Sequence, residues 1–288
     1  MIKFKNILIV AIASILIYAC SDDNPLVDDF DHAAQASKDQ DTLVKYLSSF
    51  YYDVTIDSIK PLVDGKTALI DDVNLKVQDV VENEIDYKLY YYVVREGTPN
   101  PIKGFPTVMD SVLTKYQGSQ IENNTAKVFE FRLSPNWFTL DAVIRGWSEG
   151  FTHFRGGENV TNNGPITYIN SGKGYIFMPS GLGYRNFMSG AVEANACLVF
   201  RIELLDLVED TDHDNDGLAS ILEIEDASVE SDPKRVNTDG DSFLNYKDAD
   251  DDNDGKLTID EDANNDGDPR NDDANGNGIP DYLDPDTK

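Results

Sequence analysis

Residues 143–150 read Val-Ile-Arg-Gly-Trp-Ser-Glu-Gly and are the most informative segment of this 288-residue chain. Two β-branched residues precede Gly146 and Trp147, and polar residues follow them. This order predicts a tight turn that places a large aromatic side chain at the start of a short polar helix. Because a buried Trp is usually only part of a core, the segment indicates a functional site only together with other motifs.

Two more segments follow along the chain. Residues 174–184 read Gly-Tyr-Ile-Phe-Met-Pro-Ser-Gly-Leu-Gly-Tyr, which predicts a strand and then a Pro-containing turn that ends at Tyr184. Residues 196–207 read Ala-Cys-Leu-Val-Phe-Arg-Ile-Glu-Leu-Leu-Asp-Leu, which is typical of a strand. In this order the three segments resemble the pocket floor, the penultimate strand with its turn, and the closing strand of FKBP-type peptidyl-prolyl isomerases. The resemblance implies an α+β fold, in which an antiparallel sheet wraps around a short helix.

The start of this domain is also visible in the sequence. Residues 87–95 are rich in Tyr and Val and stop at Glu-Gly-Thr-Pro, which predicts a strand and a turn. Residues 110–118 resemble the family's strand that ends in Tyr-x-Gly, and Val128-Phe129-Glu130 stands where Phe-Asp is usual. The resemblance therefore covers residues 86–208.

The resemblance implies a site for prolyl isomerisation, a reaction that needs no cofactor, proton transfer or nucleophile. Trp147 would form the floor of a proline pocket, Tyr184 would donate a hydrogen bond to the substrate carbonyl, and Ile144 would offer its backbone N–H. The walls would be Tyr116, Phe129, Phe138, Val143, Ile144, Val192 and Phe200, with Glu130 in the place of the family's pocket Asp. Arg185 replaces the Gly after the key Tyr, Glu193-Ala194 replaces a common Pro-Pro, and residues 154–172 form a longer loop than usual. These departures leave two hypotheses open: an active isomerase, or a catalytically weak peptide-binding or adhesive module.

The N-terminal residues predict export and lipidation. Lys3 and Lys5 precede an apolar run at residues 7–19, which has the length of a signal peptide but is short for a membrane span. Ile17-Tyr18-Ala19-Cys20 resembles a bacterial lipobox, so we expect residues 1–19 to be removed and Cys20 to be acylated. The alternative is an ordinary secretory signal with an incidental Cys. Ser21-Asp22-Asp23 resembles the acidic export signal of Bacteroidetes-type surface lipoproteins, which predicts the outer membrane, on its periplasmic face or at the cell surface.

Residues 20–31 are short, acidic and Pro-containing, which predicts a tether. Residues 32–85 are interpreted as an N-terminal helix with an extension. The helix is expected from His32 to Phe50, with Leu43, Val44, Leu47 and Phe50 at helical spacing. The favoured interpretation is that it packs on the domain's own core, and the alternative is a dimerisation helix. After acylation of Cys20 only Cys197 remains, which we expect to be a small core residue.

Residues 209–288 carry 21 of the chain's 29 net negative charges, so they repel nucleic acid and attract cations. They contain five loops with the spacing of EF-hand calcium ligands, in which Gly provides a sharp turn at position 6. The second loop has Ser242 at that position. The candidate ligands are Asp212, Asp214, Asp216 and Glu223; Asn237, Asp239, Asp241 and Asp248; Asp250, Asp252, Asp254 and Glu261; Asp262, Asn264, Asp266 and Asp273; and Asp273, Asn275, Asn277 and Asp284.

These loops are too closely spaced for the helix pairs of EF-hands. They resemble thrombospondin type 3-like calcium repeats, and the tail has too few apolar residues to offset the entropy of ordering. We therefore expect structural Ca²⁺ to contribute the free energy of folding here. The alternative is a disordered acidic spacer. The expected partners of the whole chain are proline-containing polypeptides and, through Cys20, a membrane.

Overall fold

The computed structural model describes residues 29–225 and 233–287. The expected signal peptide, the acylated Cys20 and most of the tether therefore lie outside the described residues. Among the helices in the described ranges, none combines the length and the apolar character needed to span a membrane.

One six-stranded antiparallel sheet forms the centre of the fold. Its strands are β3 (Leu75–Glu82), β4 (Ile85–Arg95), β5 (Ser111–Glu122), β6 (Thr125–Thr139), β9 (Gly172–Met178) and β10 (Leu198–Val208), in the spatial order β3-β4-β9-β10-β5-β6. Two small hairpins accompany the sheet: β1 (Phe50–Asp53) with β2 (Ser58–Pro61), and β7 (Glu158–Asn159) with β8 (Tyr168–Ile169). The described helices are α1 (His32–Ser49), α2 (Arg145–Phe151) and α3 (Ser220–Glu225). The predicted α+β class is confirmed.

Helix α2 packs against one face of the sheet. Side chains of one strand alternate between the two faces, so Ile176 and Met178 of β9 point toward α2. A Cβ on Gly146 would come within 2.5 Å of the Met178 sulfur, and one on Gly150 within 2.7 Å of Ile176. These two glycines are therefore what allows α2 to lie so close to the sheet.

Helix α1 packs against the other face. Leu43, Tyr46 and Leu47 form a buried cluster with Tyr90 of β4, Phe177 of β9 and Val199 of β10, among others. The central strands are thus covered on both faces, which explains their nearly continuous apolar sequences. The expectation that the helix packs on the domain's own core is confirmed for these residues, although Val44 is mainly exposed.

Three expected boundaries differ from the structure. The predicted helix included Phe50, but this residue begins β1 and stacks on Tyr46. The predicted domain start at residue 86 would separate β3 from β4, whereas the two strands form one hairpin and the sheet begins at Leu75. The expected loop at residues 154–172 contains the β7–β8 hairpin. In each case the pairing of two consecutive strands in a hairpin decides the boundary, and local sequence pattern does not record it.

Candidate active site and acidic loops

The Trp147 side chain lies at the centre of a group of aromatic rings that we call the aromatic cluster: Tyr116, Phe129, Phe138, Trp147 and Phe200. The ring centroid of Trp147 is 4.8 Å from Tyr116, 5.4 Å from Phe138 and 5.2 Å from Phe200, all in edge-to-face geometry. Phe129 joins through an edge-to-face contact of 5.9 Å with Phe200. Trp147 is 4 % exposed, and its indole nitrogen has no hydrogen-bond partner in the described ranges. Edge-to-face contacts fix the ring orientations, so the cluster is a pre-formed apolar surface.

Gly118 of β5 makes room for two of these rings. A Cβ at this position would come within 2.6 Å of Phe129 and 2.9 Å of Phe200. Strand β6 is irregular opposite this point, where its register with β5 shifts between Gly118 and Ser119. The Gly of the predicted Tyr-x-Gly motif therefore has a steric role that its position alone does not reveal.

A carboxylate, that of Glu130, lies at the edge of the aromatic cluster. Burial raises the pKa of the Tyr116 hydroxyl to about 12, and the Glu130 carboxylate contributes to the shift. Glu130 in turn accepts a hydrogen bond of 2.9 Å from Nε of Arg132. Glu130 therefore lies beside Tyr116 and forms an ion pair with Arg132.

The other expected wall residues pack on the same core. Val192 is buried, and Val143, Ile144 and Tyr184 are partly buried against the core that contains Trp147. The Ile144 carbonyl accepts hydrogen bonds from the N–H groups of Trp147 and Ser148, at 2.8 and 3.2 Å, and so begins α2. Burial raises the pKa of the Tyr184 hydroxyl, which keeps it a neutral donor. The structure thus brings all the expected wall residues to one core.

The turn that carries Tyr184 keeps the conformation of a glycine-containing turn. Arg185 has φ of 57°, in the left-handed region that Gly adopts without strain. Its N–H donates to the Ser180 carbonyl at 2.8 Å, and its carbonyl accepts the Asn195 N–H at 2.8 Å. The departure at residue 185 therefore changes the side chain and adds local strain while the backbone path is retained.

Asp39 of α1 supports this turn from the other side, a role that the sequence did not reveal. Its Oδ2 accepts the Ser180 N–H at 2.8 Å and the Ser180 hydroxyl at 2.6 Å, while Oδ1 accepts an amide N–H of Gln35 at 2.7 Å. Asp39 and Ser180 are both buried. The only sequence signal was an acidic residue on the apolar side of the helix, close to Leu43.

Comparison with known proteins finds FKBP-type relatives. The chain is 30% identical over 119 residues to the FKBP-type peptidyl-prolyl cis-trans isomerase FkpA of Escherichia coli, and 31% identical over 117 residues to FkpA of Aeromonas hydrophila. Over this segment the chain is similar to FKBP-type isomerases, and we call the six-stranded sheet with α1 and α2 the FKBP-like domain. The match spans 41% of this chain and 37% of each of these two relatives. No family model matches the chain.

Two solved structures are also similar to this chain. An isomerase from Pseudomonas syringae has a TM-score of 0.37 at 18% identity, covering 63% of this chain and 98% of its own. FkpA of Escherichia coli has a TM-score of 0.37 at 22% identity, covering 71% of each chain.

Beyond the FKBP-like domain, the chain forms tight acidic loops that share one geometry. In the first, third, fourth and fifth loops, the Asp at position 1 accepts the N–H of the Gly at position 6, at 2.7 to 3.2 Å. These glycines, Gly217, Gly255, Gly267 and Gly278, have φ between 91° and 95°. In the second loop, Ser242 at position 6 does not have a positive φ. Gly240, two residues earlier, has a φ of 76° instead. Gly at position 6 was thus correctly interpreted as a turn residue.

A residue at position 9 closes the loops, and the sequence interpretation missed it. Its N–H donates to the carbonyl of the residue before position 1, as for Ser220 to Thr211 at 3.0 Å and Thr258 to Ala249 at 3.0 Å. The side chain at position 9 also bonds to position 2, as for Ser220 with the His213 N–H at 3.1 Å. The recurrence of Ser, Asn, Thr and Asp at positions 220, 245, 258 and 281 was the available signal.

Carboxylates in three loops converge as metal ligands would. Ligand atoms lie within 4.8 Å of one another in three groups from single loops: Asp212, Asp214 and Asp216; Asp239, Asp241 and Asp248; and Asp250, Asp252 and Asp254. Many of their oxygens are buried without a hydrogen-bond partner in the described ranges, as are both oxygens of Glu223 and of Glu261. Burial, followed by the neighbouring carboxylates, raises the pKa of Glu223 to about 10 and that of Glu261 to about 8. Such oxygens suit a hard divalent cation.

The last two loops differ from the others. In the fourth loop, the amide of Asn264 donates to Asn271, which in turn donates to Asp266. In the fifth loop, the amides of Asn275 and Asn277 both donate to Oδ2 of Asp284, at 2.7 and 2.8 Å. Among the described residues, the carboxylates of these two loops form no group of three comparable to those of the earlier loops. Their predicted ligands are thus engaged in amide hydrogen bonds.

The first loops pack on the FKBP-like domain. Asp141, in the short turn Leu140–Ala142 that precedes α2, has Oδ1 at 3.3 Å from Nε2 of His213 and Oδ2 at 3.1 Å from Nζ of Lys247. The pKa of Asp141 is lowered, because hydrogen bonds and these cationic neighbours outweigh its burial. Met109 packs with Ile224 and Tyr246 beside it. His213 and Lys247 both lie next to candidate ligands, Asp212, Asp214 and Asp248.

Proposed function

We propose that the chain is a peptidyl-prolyl cis-trans isomerase. The supporting observation is the aromatic cluster around Trp147, which lies in the segment of FKBP-type sequence. Rotation about an X-Pro amide has a barrier of about 18–20 kcal/mol, because resonance across the C–N bond is lost. A rigid apolar surface that removes water from the amide and fits the twisted form best lowers this barrier. Tyr184 and the Ile144 N–H are the donors for the substrate carbonyl.

A proline-limited refolding assay tests this activity with a matched pair of variants. Trp147→Phe removes half of the pocket floor and keeps an aromatic ring. Trp137→Phe is the control, because Trp137 is 51 % exposed on β6 and makes no ring contact with the aromatic cluster. We expect Trp147→Phe to lower the catalysed rate by about tenfold or more, since contacts of this size discriminate transition states by about 1–3 kcal/mol. Equal rates for the two variants, or no acceleration by the unmodified chain, would refute the proposal.

The second candidate function is a peptide-binding or adhesive module with weak catalysis. The observations that favour it are Glu130 with its Arg132 partner at the edge of the aromatic cluster, and Arg185 after the key Tyr. This function predicts that a proline-containing peptide perturbs Trp147 fluorescence while refolding is not accelerated. Normal turnover would exclude it. Tyr184→Phe separates the two further, because loss of the hydroxyl lowers turnover in an enzyme more than it lowers ground-state binding.

We further propose that Ca²⁺ stabilises the acidic loops. The fit rests on buried carboxylate oxygens that converge without protein partners, a set that divalent cations with oxygen ligands satisfy. Limited proteolysis with Ca²⁺, with Mg²⁺ and with chelator tests it. We expect residues 209–288 to resist cleavage only with Ca²⁺, at roughly 10⁻⁴ to 10⁻³ M as for extracellular sites. The same cleavage pattern in all three conditions would contradict it.

We also propose that the chain acts outside the cytoplasm, on exported or surface polypeptides, as an outer membrane lipoprotein anchored through Cys20. The lipobox-like sequence and the need of the loops for millimolar Ca²⁺ support the same compartment. Metabolic labelling with a radioactive fatty acid tests the anchor: the unmodified chain should incorporate label and a Cys20→Ser variant should not. Protease treatment of intact cells then distinguishes the cell surface from the periplasmic face.

A further inference from the structure

A group of three buried carboxylates lies between two of the acidic loops. Asp216, Glu223 and Asp251 are 1, 2 and 1 % exposed, and each offers an oxygen within 4.8 Å of the others. Asp216 and Glu223 occupy positions 5 and 12 of the first loop. Asp251, in contrast, belongs to the third loop.

Four of the six carboxylate oxygens in this group have no hydrogen-bond partner among the described residues. Oδ2 of Asp216, both carboxylate oxygens of Glu223 and Oδ1 of Asp251 are buried and unpartnered in the described part of the chain. The other oxygen of Asp251 accepts the Thr258 hydroxyl at 3.2 Å, which holds the carboxylate toward the first loop. Three buried carboxylates in contact are unfavourable unless a cation or protons neutralise them.

Asp251 stands at a position that does not ligate within its own loop. Ligands of an EF-hand-type loop come from positions 1, 3, 5, 7, 9 and 12, and Asp251 is at position 2. The corresponding residues of the other loops are His213, Thr238, Ala263 and Ala274. The three consecutive carboxylates therefore belong to different groups. Asp250 and Asp252 lie with Asp254 of their own loop, whereas Asp251 lies with Asp216 and Glu223 of the first loop.

The backbone of the first loop also lies close to a side chain of the third loop. A Cβ at Gly217 would lie 3.1 Å from the Ile259 side chain of the third loop. Asp251 near the start of the third loop and Ile259 near its end thus both lie close to the first loop.

We propose that Asp251 is a ligand of the Ca²⁺ ion of the first loop, so that one ion joins the first and third loops. This proposal rests on the proposed calcium binding of the tail and adds a residue and a connection to it. The ion then connects Glu223 of the first loop with Asp251 of the third. Filling of the first site and docking of the third loop are then one event.

Calcium titration of the full chain, by calorimetry, tests the ligand with matched variants. Asp251→Asn removes one charge from the shared site, and Asp260→Asn removes one exposed charge from the same loop. We expect Asp251→Asn to weaken one class of Ca²⁺ sites by roughly tenfold or more, the scale of losses at supporting metal-site residues. Asp260→Asn should leave all classes within about twofold, as expected for an exposed charge. Equal effects of the two variants would overturn the proposal.

Two double-mutant cycles assign the affected site. If Asp251 serves the ion of the first loop, its effect is lost in a Glu223→Gln background and is kept in a Glu261→Gln background, because only residues that share a site are coupled. The reverse pattern would place Asp251 in the third site and refute the bridge. If the unmodified chain binds no Ca²⁺ at all, the proposed calcium binding itself is refuted. If the unmodified chain binds Ca²⁺ and Asp251→Asn binds it as well as Asp260→Asn does, only the role of Asp251 is refuted.

Thermal unfolding separates a ligand from a residue that only fills space. In chelator, Asp251→Asn should raise the melting temperature or leave it unchanged, because one of three repelling carboxylates is neutralised. In saturating Ca²⁺, the same variant should melt below the unmodified chain. A lower melting temperature in both conditions would indicate a packing role and would overturn the proposal.

Discussion

Replacement of Asp39 should destabilise the fold much more than replacement of any exposed acid of the same helix. In Asp39→Ala, the Ser180 N–H and hydroxyl lose the acceptor that lies 2.8 and 2.6 Å away. An unpaired buried donor costs about 1–3 kcal/mol, and a hydroxyl can rotate to reduce its share. Burial raises the pKa of Asp39, so the ionised carboxylate is itself unfavourable and the net loss stays below the sum of its bonds. We expect a loss of about 2–4 kcal/mol in the free energy of unfolding.

Two further variants make this prediction specific. Asp41→Ala changes an exposed acid two residues away, and we expect it to stay within about 0.5 kcal/mol of the unmodified chain. Asp39→Asn keeps one oxygen for both Ser180 donors, and the Gln35 amide can turn its own oxygen toward the new NH₂ group. It should therefore recover at least half of the loss.

Urea unfolding followed by circular dichroism, in excess Ca²⁺, measures these differences. The expected order of stability is Asp41→Ala, then Asp39→Asn, then Asp39→Ala. If Asp39→Asn is as unstable as Asp39→Ala, the charge and not the acceptor matters, and the reasoning fails. If Asp39→Ala matches Asp41→Ala, the contact between α1 and the Ser180 turn contributes no stability.

Three other predictions concern single sites. Gly118→Ala should destabilise the domain by about 1–3 kcal/mol in urea unfolding, because its Cβ displaces the rings of Phe129 and Phe200; an unchanged midpoint would contradict the close packing. Burial lowers the pKa of His153 from 6.5, so the folded state binds a proton less readily than the unfolded state, and stability is lost as pH falls below about 6.5. The unfolding free energy relative to His153→Gln should then be smaller at pH 5.5 than at pH 7.5, and equal differences would refute this. Burial also raises the pKa of the Cys197 thiol, so in a chain whose other cysteine is Ser, a thiol reagent should label it only after unfolding.

The sequence predicted those parts of the site that are encoded locally. Trp147, Val143 and Ile144 lie within one segment, and the turn at Tyr184 follows directly from its strand. The resemblance to FKBP-type isomerases implied that Tyr116, Phe138 and Phe200 share one site, and the pairing of β5 with β6 and with β10 brings them together. The turn at position 6 of the acidic loops was also predictable from the sequence, because only Gly adopts the required φ without strain.

The contacts that the sequence did not predict are polar and long-range. Asp39 bonds to Ser180, 141 residues later, and an Asp on a helix is far more often exposed. Asp251 lies between Asp250 and Asp252. The EF-hand-type spacing predicted these two neighbours as calcium ligands and predicted no role for Asp251. In both cases burial creates the function of the carboxylate, and burial is determined only when separate segments pack together.

The contact at Asp141 shows why the FKBP-like domain and the acidic loops are better considered as one structural unit than as two independent modules. Asp141 precedes Val143 by two residues, and its carboxylate faces His213 of the first loop and Lys247, which leads into Asp248 of the second. A buried carboxylate needs such partners, so the turn that leads into the pocket floor is completed by residues of the tail. Lys234 adds a second connection, because its ammonium lies 3.5 Å from the Leu140 carbonyl and 3.4 Å from the Ser148 hydroxyl. Removal of the tail would therefore take both His213 and Lys247 away from Asp141, directly beside the segment that positions Trp147.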